Sequence, residues 1–166
     1  LFRSLRASDE WIMPSDVDRR ILFPRRFLPE ITRQRVNHHP EEACALVFGS
    51  MIIDENKQVF EIKEIHFTEN ILHSPSAFEI DPVDYYSIIK KEEENKNALV
   101  GILHTHPSNQ FVSASDEKYM KNAAEHFKSA ICWLIAGDGE NAGDGLDIGA
   151  YYVKSGTILQ IPISYV

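Results

Sequence analysis

The segment from Ala98 to Asp116 limits what this chain can fold into more than any other. It opens with an apolar run, Ala98-Leu99-Val100-Gly101-Ile102-Leu103, straight after a Lys/Glu/Asn-rich stretch, which predicts a buried strand. His104, Thr105, His106 and Pro107 follow at its end. Side chains alternate faces along a strand, so both imidazoles leave the sheet on one side and Thr105 on the other. Proline cannot donate to a ladder, so the strand is expected to stop at Pro107 and release a loop. Beyond it, Met120, Ala123, Ala124 and Phe127 recur at helical spacing, and Asp116 lies in the first turn of that helix. The pattern calls for a sheet in which a strand end faces a helix start, with two imidazoles and a carboxylate between them.

Two nitrogens and one oxygen fill three positions of a tetrahedral zinc and leave the fourth for water, the open arrangement of catalytic zinc. No cysteine lies nearby to compete. Taken singly, each residue has a plainer role: a chance His-x-His pair, Ser113 as a helix N-cap, Asp116 as a first-turn acid suited to the helix dipole. Together, at a strand end followed by a helix start, they point to one metal site.

His104-x-His106-Pro107 followed by Ser113-x-x-Asp116 is similar to the signature of the JAMM (MPN+) metalloproteases, the zinc isopeptidases and deubiquitinase-like enzymes. That family also has a glutamate ahead of an apolar strand closed by Gly. Pro40 to Gly49 resembles this element, and the distance back from Gly49 selects Glu42 over Glu41. The resemblance runs from about Phe27 to the C-terminus. It implies one Zn2+ per chain held by His104, His106 and Asp116, with Glu42 as general acid/base and Ser113 at the oxyanion. The implied fold is mixed α/β, an MPN/JAMM domain resembling cytidine deaminase, with a mostly antiparallel mixed sheet flanked by about three helices. The implied substrate is ubiquitin or a ubiquitin-like protein, such as a small archaeal or bacterial modifier, joined through its C-terminal tail to an amine. The interval from His106 to Ser113 departs from the family pattern by being one residue shorter.

Zinc lowers the pKa of bound water to about 7 and polarises a carbonyl, but a carboxylate must still take the water's proton and pass it to the leaving amine. In that role Glu42 needs an environment that raises its pKa toward neutrality. A hydroxyl donor beside the metal would steady the tetrahedral oxyanion, and Ser113 suits it. A substrate tail would add as a strand to an exposed sheet edge, for which residues Glu69 to Ile80 are the expected segment. Two other readings are open: removal of an amino acid from a sulfur-carrier protein of the same fold, and a non-catalytic MPN module that binds partners. The short stretch after Asp116, without long insertions, points to a stand-alone minimal enzyme.

At 166 residues the chain can bury a proper core and is too short for the (β/α) barrels that also carry His-x-His pairs at strand ends. Ser108 and Asn109 stand where a metallo-β-lactamase motif would have Asp and His. The net charge of −8 argues against nucleic acid as a partner. It is unevenly placed. Residues 1–35 carry eight Arg and five acids, whereas residues 36–166 carry nine Lys and twenty acids. Residues 1–23 are therefore read as an Arg-rich extension, an arm docking on the acidic body or on a partner, ahead of a metalloprotease domain at 24–166. Cys44 and Cys132 lie in apolar runs and read as buried free thiols, which suits a reducing cytoplasm. No stretch approaches the ~20 apolar residues of a membrane span. The reading allows for a homodimer.

The remaining pattern predicts a first helix at Pro24–Val36, strands at Ala43–Ile53 and Gln58–Phe67 joined by a turn at 54–57, and a loop from Glu69 to Ser76. A short strand at Ala77–Ile80 is expected next. Asp81-Pro82 then caps a helix whose buried face is Tyr85, Ile88 and Ile89 and whose solvated end is Lys90–Asn95. Strands at Ala130–Gly137, Leu146–Val153 and Thr157–Val166 complete the sheet. Asp138, Asp144 and Asp147 lack EF-hand spacing and fit hairpin chemistry better than calcium. His38 and His39 suit a helix end, and His66 and His73 read as ordinary strand and loop histidines.

Overall fold

A computed structural model describes residues 3–4, 17–127 and 131–166. Most of the proposed N-terminal extension, and Ala130 at the start of one predicted strand, lie outside those residues. The strands are β1 (Arg3–Ser4), β2 (Asp18–Phe23), β3 (Cys44–Asp54), β4 (Lys57–Thr68), β5 (Ala98–Asn109), β6 (Cys132–Gly143), β7 (Leu146–Lys154), β8 (Thr157–Gln160) and β9 (Ile163–Tyr165). Three α-helices accompany them: α1 (Leu28–His38), led in by a 3-10 turn at Arg25–Phe27, α2 (Pro82–Glu94) and α3 (Ala114–Ala124). The strands form one mixed sheet in the order β8-β7-β6-β5-β3-β4-β2-β9, with β1 paired to β3. The pairs β5/β6, β2/β4 and β2/β9 are parallel and the others antiparallel. This is the mixed, mostly antiparallel sheet with three helices that the sequence leads one to expect.

Both faces of the sheet are covered, which is why β3 reads as a continuous apolar run. Ala45 and Val47 point to one face, where Ile21, Phe23, Phe60, Leu103 and Leu134 pack against Ile31 of α1. Cys44, Leu46 and Phe48 point to the other, with Ile102, Trp133 and Ile135, under α2 and Met120 of α3. Tyr85, Ile88 and Ile89 form the inward face of α2 as expected. Asp81 caps that helix by accepting from the Val83 and Asp84 amides. No helix among the described residues is long and apolar enough to cross a membrane.

Several expectations are corrected. The strand β5 does not stop at Pro107 but runs to Asn109, because the β5/β6 pairing breaks only between Thr105 and Asn109 and Pro107 sits in that irregular stretch. Ala77–Ile80 makes a single bridge, Asn70 to Ile80, in place of a strand. The last predicted strand is split around Ile161-Pro162, so that β8 pairs with β7 and β9 crosses to β2. The helix predicted from Pro24 starts later, with Pro29 in its first turn. Strand β2 carried no periodic signal. In and beside it, Arg19 stacks 4.1 Å from the Tyr152 ring centroid, and Arg26 donates to the Lys63 carbonyl at 2.6 Å.

The end of α2 is not wholly solvated. Glu92 is 1% exposed, accepting from Asn97 Nδ2 at 2.7 Å and meeting His66 Nε2 at 2.8 Å. Burial pushes this carboxyl up, but the bonds from Asn97 and His66 outweigh it and hold the group below its ordinary 4.5. A depressed carboxylate stabilises the fold above its unfolded pKa and loses that effect as pH falls. We therefore expect Glu92→Gln to lower unfolding stability at pH 7 by on the order of 1–3 kcal/mol in urea titrations, the deficit narrowing as the solution is acidified. Equal midpoints at pH 7 would refute this role for the carboxylate.

Candidate metal centre

Glu42 stands just ahead of β3, in the register where that strand meets the histidine end of β5: Cys44 pairs with His104. Its backbone is fixed on both sides. The Glu42 amide donates to the Ser74 carbonyl at 2.9 Å, and its carbonyl accepts from Asn70 Nδ2 at 2.9 Å. The next residue is tied to β5, since the Ala43 amide donates to Thr105 Oγ1 and the Thr105 amide to the Ala43 carbonyl, each at 2.9 Å. Thr105, pointing away from the imidazoles, thus fastens the glutamate's neighbour to the histidine strand.

His104 and His106 point to the face of β5 covered by α2 and α3, and their Nε2 atoms lie 3.1 Å apart. Asp116, in the first turn of α3, reaches both: Oδ1 is 2.9 Å from His104 Nε2 and Oδ2 is 3.1 Å from His106 Nε2. Glu42 Oε1 lies 3.7 Å from His106 Nε2. All four side chains are buried, at 1% to 6% exposure. His106 Nδ1 donates to the Asn109 carbonyl at 2.9 Å, which turns the Nε2 lone pair inward. His104 stacks on Phe78, with centroids 4.6 Å apart and planes inclined by 24°.

The donor set fits a divalent cation. Ligand atoms of Glu42, His104 and His106 lie within 4.8 Å of one another, and the Asp116 oxygens are nearer still to both imidazoles. A tetrahedral zinc at its usual bond lengths separates its ligands by roughly 3.3 Å, close to the spacing of the two nitrogens and the Asp116 carboxylate. Glu42 Oε2 is buried without a hydrogen-bond partner, as is His104 Nδ1.

The two carboxylates differ in chemistry. Burial pushes Asp116 up, but the bonds from His104, His106 and Ser113 prevail and hold it well below the usual carboxylate range. Glu42 is pushed up to about 7, chiefly by burial and further by the Asp116 charge, with His106 opposing. Burial lowers the His104 pKa. His106 is also burdened by burial, yet Asp116 and Glu42 raise its pKa overall. One carboxylate is a fixed anion and the other exchanges a proton near neutrality.

Residues 24–146 match the family of prokaryotic homologs of the JAB domain. The chain belongs to this family. A desampylase from Pyrococcus furiosus is 29% identical to it over 119 residues, covering 71% of this chain and 74% of the relative. The solution structure of a protein from Desulfitobacterium hafniense matches with a TM-score of 0.67 at 21% identity, over 89% of this chain and 92% of that one, a likeness of fold.

Within this JAB domain Ser113 is the N-cap of α3. Its hydroxyl accepts from the Asp116 amide at 3.1 Å and donates to Asp116 Oδ2 at 2.6 Å, while its own amide also holds Oδ2 at 2.7 Å. Capping and orientation of Asp116 are one arrangement. Ser115 is exposed and lines a groove of about 530 Å³ that runs past Asp116 between α3 and the 69–80 segment, with Phe78 and Tyr119 in its wall. Sequence reasoning missed Asn70. This buried side chain donates to the Glu42 and Ala77 carbonyls and accepts from the Leu72 and Glu79 amides, which fills its hydrogen-bonding capacity. The only sequence hint was an Asn in a segment with no periodicity. Phe78, stacked on His104, was equally silent.

Proposed function

We propose that this JAB domain is a zinc-dependent isopeptidase that cleaves after the C-terminal tail of a ubiquitin-like modifier joined to an amine. The observation that carries this reading is the division of labour between Asp116, held anionic against two imidazoles, and Glu42, poised near neutrality beside them. His104, His106 and Asp116 would hold the metal, which when bound supplies an acidified water and a polarised carbonyl. Glu42 takes the proton of the attacking water and returns it to the departing amine, a task suited to a carboxyl whose pKa lies near the working pH. Its position is set by the Asn70, Ser74 and Thr105 contacts on either side, so the proton moves at a fixed point. Ser113 serves the oxyanion by turning its single hydroxyl proton from Asp116 Oδ2 toward the substrate oxygen; the Ser113 amide keeps hold of Asp116 meanwhile. The groove beside Phe78 and Tyr119 would receive the extended tail. Membership of the JAB family and the likeness to a desampylase agree with this reading.

The test is hydrolysis of conjugates of ubiquitin-like proteins by the purified chain before and after dialysis against a chelator. Activity is expected to vanish with the metal and to return on adding one equivalent of zinc. Release of a free amino acid from a sulfur-carrier protein, with lysine conjugates untouched, would replace the substrate class. Hydrolysis indifferent to the chelator would overturn the reading.

A further inference from the structure

We infer that Arg35 of α1 is a positioning residue for the metal centre, holding the stretch of β5 that carries and orients His106. The inference rests on the reading of His106 as a metal ligand. Strands β5 and β6 are in parallel register up to Thr105 opposite Ala136, and pairing resumes only at Asn109 opposite Asp138. Three residues of β5, 106–108, therefore pass a single residue of β6, Gly137. At Gly137 a side chain would overlap the Asn109 carbonyl, so the two strands are in contact here although their ladder is interrupted. A bulge of this size interrupts the ladder beside residues 106–108.

Arg35 of α1 bonds the carbonyls of this interrupted stretch. Its Nε donates to the His106 carbonyl at 2.7 Å, and its Nη2 to the Pro107 and Ser108 carbonyls at 3.1 Å each. The same Nη2 reaches Asp138 Oδ1 at 2.8 Å, on the strand where pairing resumes. The Arg35 side chain is only 17% exposed. One rigid fork thus serves three successive carbonyls from fixed donor positions, a geometry that the compact ammonium on lysine's flexible stem does not reproduce. Asn109, at the far end of the bulge, is the residue whose carbonyl fixes the His106 ring through Nδ1. Tyr151 Oη donates to the Gln110 carbonyl at 3.0 Å, and Gln110 Nε2 donates to Asp147 Oδ2 at 2.8 Å, pinning the next residue. Arg35 acts on the metal through this chain: clamp, bulge, Asn109 carbonyl, His106 ring.

The test compares Arg35→Lys, Arg35→Met and Asp138→Asn with the unmodified chain, reading zinc affinity by competition with a chromophoric chelator and site geometry by the d–d spectrum of the cobalt-loaded protein. Arg35→Met keeps the packing of the stem, and measurements are made well below each variant's melting temperature. Both Arg35 variants are expected to bind zinc about 10–100-fold more weakly, the effect of losing an outer-shell partner, with an altered cobalt spectrum. Asp138→Asn, which leaves the carbonyl clamp in place, is expected to bind zinc as the unmodified chain does. Wild-type affinity and spectrum in Arg35→Lys would overturn the inference, and so would an equal loss in Asp138→Asn, which would reduce Arg35 to half of an ion pair. A wild-type chain that binds no zinc would instead refute the proposed function.

Discussion

Glu42→Gln is expected to lower hydrolysis by about 10²–10⁴-fold, the span that a positioned acid–base group supplies, while bound zinc stays at one equivalent. The amide is isosteric, and the contacts that place residue 42 are made by its backbone, to Ser74 and Asn70, so the substitution removes proton transfer and little else. Glu42 is the more distant of the two carboxylates, 3.7 Å from His106 Nε2 against 3.1 Å for Asp116, which is why metal retention is expected. A second effect has the opposite sign. The Glu42 carboxyl is raised from 4.5 to about 7, mainly by burial. A group raised on folding contributes stability that is present below its unfolded pKa and disappears as pH climbs through its folded one. In chelator-treated protein, ionised Glu42 is therefore a burden at pH 8 that Gln does not impose. We expect metal-free Glu42→Gln to melt higher than wild type at pH 8, by on the order of 2 kcal/mol, and the two to converge near pH 5. Calorimetry at both pH values, beside turnover assays with metal analysis, checks both halves. Full activity with zinc bound would end the proposed mechanism.

What could be seen in the sequence follows from where the information sits. The histidine strand and the helix that carries Asp116 were legible because alternation and helical period are local, and because alternation alone puts His104 and His106 on one side, whereas Glu42 was singled out only by its resemblance to the family's glutamate ahead of an apolar strand. The sheet with its three helices followed from the same signals. What escaped was held by long-range hydrogen bonding. Pro107 signals the end of a strand to any local rule, yet β5 continues past it because pairing with β6 resumes at Asn109, beyond an irregular stretch whose Pro107 carbonyl is bonded by Arg35, seventy-two residues earlier. Glu92 looked like one more acid on a solvated helix end, and only the fold shows His66 and Asn97 closing over it. Strand β2 is Asp18-Arg19-Arg20-Ile21-Leu22-Phe23, too charged at its start to alternate, and its place is made by parallel pairing to β4 and β9. Asn70 carries no pattern because its four bonds are to backbone groups, three scattered over its own loop and one at Glu42, 28 residues earlier.

Asp116→Asn is expected to be the most damaging single change to the metal centre, raising the zinc dissociation constant by more than the 10–100-fold typical of an outer-shell loss and taking hydrolysis to background. Asparagine keeps an oxygen that the Ser113 amide and hydroxyl can hold, so the cap of α3 and the helix behind it should survive, and circular dichroism should be unchanged. What it removes is the fixed anion between His104 and His106. In the metal-free protein that anion also stabilises the fold. Burial opposes it, but the bonds from His104, His106 and Ser113 depress the Asp116 pKa below its ordinary 3.8. Its contribution is thus present above that pH and lost as the solution is acidified through the folded-state value, so the stability gap between wild type and Asp116→Asn should be wide at pH 7 and narrow in acid. Metal analysis after gel filtration, chelator competition and urea titrations at neutral and acid pH read the two effects separately. The decisive comparison pairs this variant with Glu42→Gln, since both carboxylates lie beside the imidazoles and either could complete a metal site with them. If Asp116 is the ligand and Glu42 the base, Asp116→Asn loses the metal and Glu42→Gln keeps it. The reverse outcome would exchange their roles, leaving a site whose third ligand is the carboxylate that ordinarily carries a proton near neutrality.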